Sequence, residues 1–190
     1  SRAAPCPHQP TDGLTVTDSH LADRVAALVR DVPDFPKPGI LFKDITPLLA
    51  DGATMRALVE DLAGRHRDAE IVAGIEARGF VLGAALAHEL GVGFVPVRKA
   101  GKLPGDVVGR AYGLEYGTAE IEVPADTPAR GRRVVLVDDL LATGGTAAAA
   151  WHLLESVGAH VVALEVVIEL QELGGRAALG TRDVRAVLSV

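Results

Sequence analysis

Apolar residues along this chain follow two alternating patterns. Some runs are hydrophobic almost without a break, as in EIVAGI (70–75), GFVPV (93–97), VVLVD (134–138) and the Val-rich stretch 160–169. Between them, apolar residues recur every three or four positions. An unbroken run bounded by turn residues is how a strand buried on both faces reads, and the wider spacing is that of a helix with one face on a core. The chain is therefore expected to form strand 70–75, helix 79–90, strand 93–97, strand 134–138, helix 145–157, strand 160–169, a short helix near 175–180 and strand 184–189. Strands alternating with helices imply right-handed crossovers and a mostly parallel, twisted sheet flanked by helices, an α/β fold.

The ends of this pattern and one interval inside it read differently. Residues 1–13 (SRAAPCPHQPTDG) lack periodicity and are expected to be disordered, leaving 14–190 as a single domain. A helix follows, capped near Thr17 or Asp18, with Leu21, Val25, Leu28 and Val29 as its apolar stripe. PDFPKPG (33–39) puts three prolines and a glycine in seven residues, which forbids regular structure and predicts a fixed, extended loop. A second helix is expected from about Asp51 to about His66. The interval 98–123 carries glycines at 101, 105, 109, 113 and 117 among polar and β-prone residues, and reads as a long hairpin-like flap.

Composition narrows the class. At 190 residues, one domain can bury roughly 70% of its unfolded surface without metal or disulfide support. The single cysteine, Cys6, cannot close an intramolecular disulfide, which fits a reducing cytoplasm. No apolar run is long enough to span a bilayer and no signal pattern precedes the domain. A formal net charge of -6 argues against a nucleic-acid surface, since phosphate-backbone binding needs clustered Lys and Arg. The six histidines show no ligand spacing with cysteine, so a zinc site is not expected.

The most informative segment is VVLVDDLLATGGT (134–146), a buried-strand run, two adjacent acids and a Thr-Gly-Gly-Thr loop ahead of an alanine-rich helix. The loop leaving the C-terminal end of such a strand is where α/β proteins bind ligands. Asp138 and Asp139 cost desolvation there unless a cation or hydroxyls meet them. Gly144 and Gly145 let backbone N–H groups approach an anion at the helix start. Acids for sugar hydroxyls beside amides for a phosphate point to a phosphorylated ribose. Neither a P-loop nor a G-x-G-x-x-G fingerprint occurs.

Other segments carry candidate chemistry. In IEARGF (75–80), Arg78 leaves a core strand with a planar fork suited to phosphate oxygens. RKAGKLPG (98–105) opens the flap with Arg98, Lys99 and Lys102, cations that would stabilise charge gathering on a leaving anion. GLEYG (113–117) closes it with Glu115 and Tyr116, and nothing local gives the acid a core role. In PDFPKPGILFKDITPLL (33–49), a rigid loop followed by Leu41, Phe42 and Lys43 can set an aromatic face and backbone groups against a flat base. Trp151 and Ser156 read as ordinary helix residues.

These segments, in this order and spacing, resemble the adenine phosphoribosyltransferases of the type I phosphoribosyltransferase family, from about residue 25 to about 175. The resemblance implies a type I fold with a small N-terminal hood (33–49), a flexible β flap (98–123) and a 5-phosphoribosyl pyrophosphate (PRPP) loop and helix (134–157). It implies transfer of the phosphoribosyl group to adenine, giving AMP and pyrophosphate. By the same resemblance, Asp138, Asp139 and Ala142 to Thr146 (Ala142, Thr143, Gly144, Gly145, Thr146) hold the ribose and 5′-phosphate. Arg78, Arg98, Lys99, Lys102 and Tyr116 serve pyrophosphate, Leu41, Phe42, Lys43 and Leu140 serve adenine, and Glu115 manages the proton at N7. A cis bond near Glu76–Ala77, Mg²⁺ carried on PRPP without direct protein ligands, and a homodimer complete the expectation. Lys43 stands where many relatives have Arg. Two readings stay open at this point: a transferase for a 6-oxopurine, and a PRPP-sensing regulator without catalysis on the same fold.

Overall fold

The computed structural model describes residues 16–114 and 117–190. In chain order its elements are α1 (Val16–Leu28), β1 (Arg30–Pro33), β2 (Leu41–Asp44), α2 (Thr46–Ala50), α3 (Gly52–Arg65), β3 (Ile71–Ile75) and α4 (Arg78–Leu90). There follow β4 (Gly93–Lys99), β5 (Val107–Leu114), β6 (Gly117–Pro124), β7 (Arg133–Leu141), α5 (Gly145–Ser156), β8 (His160–Glu169), α6 (Gly175–Leu179) and β9 (Val184–Ser189). Seven strands form one sheet in the order β5-β6-β4-β3-β7-β8-β9. Its central pairs β3–β4, β3–β7, β7–β8 and β8–β9 are parallel, whereas β6 joins β4 and β5 antiparallel. The expected α/β fold, mostly parallel and flanked by helices, is what the chain adopts.

The unbroken apolar runs sit centrally because both of their faces are covered. Every residue of β3 is buried. Side chains alternate across a strand: Ile71, Ala73 and Ile75 join Val134, Leu136, Ala150, Trp151 and Leu154 on the α5 side. Val72, Val135 and Val137 meet Leu58, Leu62, Leu82 and Leu86 of α3 and α4 on the other. Full burial of each such leucine is worth about 1.5–3 kcal/mol. The first helix follows its predicted stripe, with Leu21 and Val25 buried and Leu28 and Val29 packed behind them. Asp51 caps α3, accepting the N–H of Thr54 at 2.7 Å. Trp151 is buried in α5, and its Nε1 donates to Glu155 Oε1 at 2.9 Å.

Some boundaries differ from the sequence reading. The Pro-rich stretch is not wholly irregular: β1 and β2 pair antiparallel on either side of it, Arg30 opposite Asp44 and Pro33 opposite Leu41. α2, with Pro47 in its first turn, was not foreseen because five residues are too few to show a period. The strand expected to stop at Asp138 continues through Leu141, so Asp139 too lies within β7. Among the described residues, no helix is long and apolar enough to cross a membrane.

Helix α4 sits on the sheet with unusual closeness. A Cβ on Gly74 would lie 2.5 Å from the carbonyl oxygen of Gly79 and 2.8 Å from Phe94 Cε2. Backbone rather than a flexible side chain blocks the space, so relief requires α4 to shift. Gly74→Ala should therefore destabilise the protein by about 1–3 kcal/mol, the usual cost of overpacking. The check is a denaturant titration with a lower midpoint at unchanged slope; an unshifted midpoint would contradict the packing described.

Candidate active site

The C-terminal ends of the parallel strands β3, β4 and β7 face the same way, and the loops leaving them converge. From β3 comes the turn Glu76–Ala77, whose peptide bond is cis, and then Arg78 at the start of α4. From β7 come Asp138 and Asp139, followed by the loop 142–146. Asp139 is 5% exposed and accepts Arg78 Nε at 2.5 Å. The Arg78 guanidinium also lies 5.1 Å from the centre of the Phe42 ring, and Phe42 meets Phe35 edge-on at 5.1 Å. One arginine thus links the hood formed by β1 and β2 to the acidic end of β7.

Asp138 is set differently from its neighbour. Its Oδ1 accepts the N–H of Asp139 at 2.9 Å. Loss of water around the carboxyl, then the adjacent charge of Asp139, push its pKa well above the ordinary aspartate value, against the smaller pull of that N–H and of Arg78. The helix start packs directly here, since a Cβ on Gly79 would come within 2.6 Å of Val137 O and 3.3 Å of Asp138 Oδ1.

The loop that follows is shaped by close backbone contact. Gly144 has φ +82, in the left-handed region that glycine alone adopts freely. A Cβ there would collide with Gly175 O, and one on Gly175 with Ala142 O. The loop is therefore pressed onto the start of α6. On its other side, Thr146 Oγ1 donates to the Tyr112 hydroxyl at 3.2 Å.

Two cavities meet at this point. One, of about 510 Å³, is lined by Glu76, Arg78, Lys99, Tyr112, Asp138, Asp139 and residues 140–147. The other, of about 690 Å³, is largely apolar and is lined by residues 39–43, Leu140, Leu170, Leu173 and Val190, with Glu172 at its rim. Arg78, Leu140, Ala142 and Thr143 belong to both. The result is one cleft with a flat greasy end and a polar, charged end.

The structure gathers most of the sequence-derived candidates into this cleft but not all of them. Arg78, Lys99, Asp138, Asp139, Ala142, Thr143, Gly144, Gly145 and Thr146 line its polar half, and Leu41, Phe42, Lys43 and Leu140 its apolar half. Arg98 turns away: Nε donates to Glu76 Oε2 at 3.2 Å, Nη1 to the Lys102 carbonyl at 2.9 Å, and the guanidinium rests 5.9 Å from the Phe80 ring centre. Lys102 lines neither cavity. Lys43 Nζ is held by Asp31 at 2.8 Å. Glu115 and Tyr116, like residues 1–13, lie outside the described residues.

Several residues here were missed by sequence reasoning. Glu76 accepts both Arg98 and the N–H of Lys99, the latter at 3.1 Å. Partial burial works against its ionisation, but these hydrogen bonds and the two cations outweigh it and hold its pKa below normal. Its place in IEARGF was visible; its partners, more than twenty residues on, were not. Leu170, Leu173 and Val190 reach the apolar end from the last part of the chain, where no motif marks them. The hood is braced through Asp44, whose pKa is lowered to about 2 by the Thr46 hydroxyl and N–H and by Arg30. Among the described residues no group of three or more His, Cys, Asp or Glu side chains is placed to hold a metal ion.

This cleft, on this sheet, defines a phosphoribosyl-transferring class of protein: the phosphoribosyl transferase domain model matches residues 47–178. Adenine phosphoribosyltransferase of Kineococcus radiotolerans is 58% identical over 183 residues, covering 93% of this chain and 97% of the relative. That of Clavibacter sepedonicus is 54% identical, covering 92% of each. Among solved structures, adenine phosphoribosyltransferase of Thermoanaerobacter pseudethanolicus superimposes with a TM-score of 0.85 at 46% identity, over 89% of this chain and 99% of that one. The Saccharomyces cerevisiae enzyme, solved with adenine and an imino-altritol bisphosphate, gives 0.84 at 38% identity, over 90% and 99%. The chain belongs to the adenine phosphoribosyltransferase family.

The raised pKa of Asp138 has a consequence for stability. A carboxyl whose folded pKa lies above its unfolded value stabilises the fold while protonated, and that contribution is lost as pH rises from the ordinary value of 3.8 through the folded one. Asp138→Asn keeps the acceptor for Asp139 N–H and cannot ionise. At pH 7 the ligand-free variant should melt at least about 2 °C higher, the shift roughly 1 kcal/mol gives in a domain of this size. That gain should shrink as pH is lowered toward 4. Melting curves showing no gain at pH 7 would refute the assignment of a desolvated charge here.

Proposed function

We propose that this chain transfers the 5-phosphoribosyl group from PRPP to adenine, forming AMP and releasing pyrophosphate, as a purine-salvage enzyme. The observation that carries the reading is the two-ended cleft: an apolar slot between Phe42 and Leu140 runs into a polar chamber with Asp138, Asp139 and the 142–146 loop at its floor. A planar base in the slot places its reacting nitrogen beside a ribose held at the acids. The hydroxyls of Thr143 and Thr146 and the amides of the loop hold the 5′-phosphate, at the start of a helix whose dipole favours an anion.

Each end of the cleft has a task in the chemistry. Breaking the bond between ribose C1′ and pyrophosphate leaves positive character on the sugar and negative charge on the leaving group. Asp138 and Asp139 hold the ribose hydroxyls and steady the ring. Arg78 and Lys99 within the cleft, joined by Arg98, Lys102 and Tyr116 as the resemblance implies, stabilise pyrophosphate as it departs. Asp138 and Asp139 would lie near Mg²⁺ carried on PRPP, which would supply further charge neutralisation. Glu115 takes or shares the proton at N7 as N9 attacks. The β5–β6 hairpin serves as the flap that keeps water from the reacting centre. The proposal includes a homodimer working in the cytoplasm.

Two experiments test this reading. With PRPP and Mg²⁺, nucleotide formation should be rapid with adenine. It should be roughly 10⁴–10⁵-fold slower with hypoxanthine or guanine, because hydrogen-bonding groups matched to the adenine edge stay unpaired against a 6-oxo base. Comparable turnover of a 6-oxopurine would sink the adenine assignment.

Glu115→Leu should lower kcat by about 10²–10⁴-fold, the usual worth of a positioned proton transfer, with PRPP affinity nearly constant. A merely exposed carboxylate predicts a change within a few-fold.

A further inference from the structure

Tyr112 stands in no motif used above, yet its hydroxyl is in the cleft. It lies on β5, the first strand of the hairpin, is half-buried, and lines the polar chamber together with Lys99, Asp138 and the 142–146 loop. Thr146 Oγ1 donates to it at 3.2 Å. The two elements are also in close contact apart from this bond: a Cβ on Gly145 would meet Gly113 O at 3.6 Å and Tyr112 Cδ2 at 4.0 Å. The hairpin thus lies against the first turn of α5, the turn assigned to the 5′-phosphate.

A threonine hydroxyl has one proton and two lone pairs. Thr146 Oγ1 and the Tyr112 hydroxyl are 3.2 Å apart, and either can donate to the other. A phosphate in the 142–146 loop is an acceptor only, so Thr146 can serve it only by turning its proton toward the anion. Its oxygen then needs a donor, and the Tyr112 O–H is the group within reach. We infer that Tyr112 is a positioning residue for the 5′-phosphate: its hydroxyl donates to Thr146 Oγ1 when phosphate binds, fixing the Thr146 proton on the anion. The chain then runs from Tyr112 O–H to Thr146 O–H to phosphate, each bond polarising the next. This inference rests on the proposed placement of the 5′-phosphate at 142–146 and adds a residue of the hairpin to that site. It also explains why a tyrosine hydroxyl sits half-buried beside a threonine, where a phenylalanine would pack equally well.

The test is calorimetric binding of AMP and of adenosine, which differ only in the phosphate, to four proteins: wild type, Tyr112→Phe, Thr146→Val and the double variant. Wild type should prefer AMP strongly. Tyr112→Phe should weaken AMP about three- to ten-fold, the span of one neutral hydrogen bond, while adenosine stays within two-fold. In the Thr146→Val background the same change should alter AMP affinity by less than two-fold, because the relay is already broken. AMP affinity unchanged in Tyr112→Phe would overturn the inference. So would equal losses for AMP and adenosine, which would mark Tyr112 as packing, or a full additional loss in the double variant, which would make the two hydroxyls independent. Absence of any AMP preference in wild type would remove the phosphate placement itself, and with it this inference; the other three outcomes leave that placement intact.

Discussion

A Cβ on Gly79 would come within 2.6 Å of Val137 O, and one on Gly74 within 2.5 Å of Gly79 O, so α4 rests on β3 and β7 backbone to backbone. The rest of the site depends on that approach. It fixes the turn at Glu76–Ala77 and the acidic end of β7 at one spacing, which is what lets Arg78 reach Asp139. A larger residue at either glycine would lift the helix and separate the two loops. The cleft is therefore held by the interior of the domain rather than by its loops, and catalytic geometry and core packing are the same constraint seen from two sides.

The charges of the cleft largely answer one another. Arg78 pairs with Asp139, Arg98 with Glu76, Lys43 with Asp31 and Arg30 with Asp44. Asp138 has no such partner among the described residues and bears the cost in its raised pKa. The proposed phosphorylated sugar would thus exchange internal partners for external ones. Arg78 is central to the exchange because it touches the hood at Phe42 as well as the acid.

The sequence disclosed those parts of the fold that rest on strong local patterns. The unbroken apolar runs became β3, β7 and β8, and Asp51 capped the helix it precedes. It concealed features whose cause lies across space. β1 and β2 were missed because their charged residues serve each other as Arg30–Asp44 and Asp31–Lys43 rather than forming a buried face. The acids were read as ending their strand because carboxylates are rare inside one, yet β7 carries them because Arg78 and the Asp139 amide meet them there. The 138–146 segment could be placed at the cleft directly, since two acids and a glycine pair at a strand end mark a ligand-facing loop. Arg98 could not: a run of cations says nothing of which member a neighbouring carboxylate will claim. The contributions of Leu173 and Val190 were invisible because only folding brings the chain's last part to the base end.

The β5–β6 hairpin continues the core sheet instead of hanging from it by a loop. Its seam with β4 is only two residue pairs wide, Arg98 opposite Glu122 and Lys99 opposite Ile121. In mechanical terms it is a lever with a short fulcrum. From Ile121 to Gly117 the strand reaches only about 13 Å beyond the seam, so a tilt of about 10° would carry its end roughly 2 Å while the seam moves under about 1 Å. Lys99 sits in that fulcrum, and the Tyr112–Thr146 bond ties the arm partway along its length. A tilt of that size would leave Lys99 at the arm's base almost where it is.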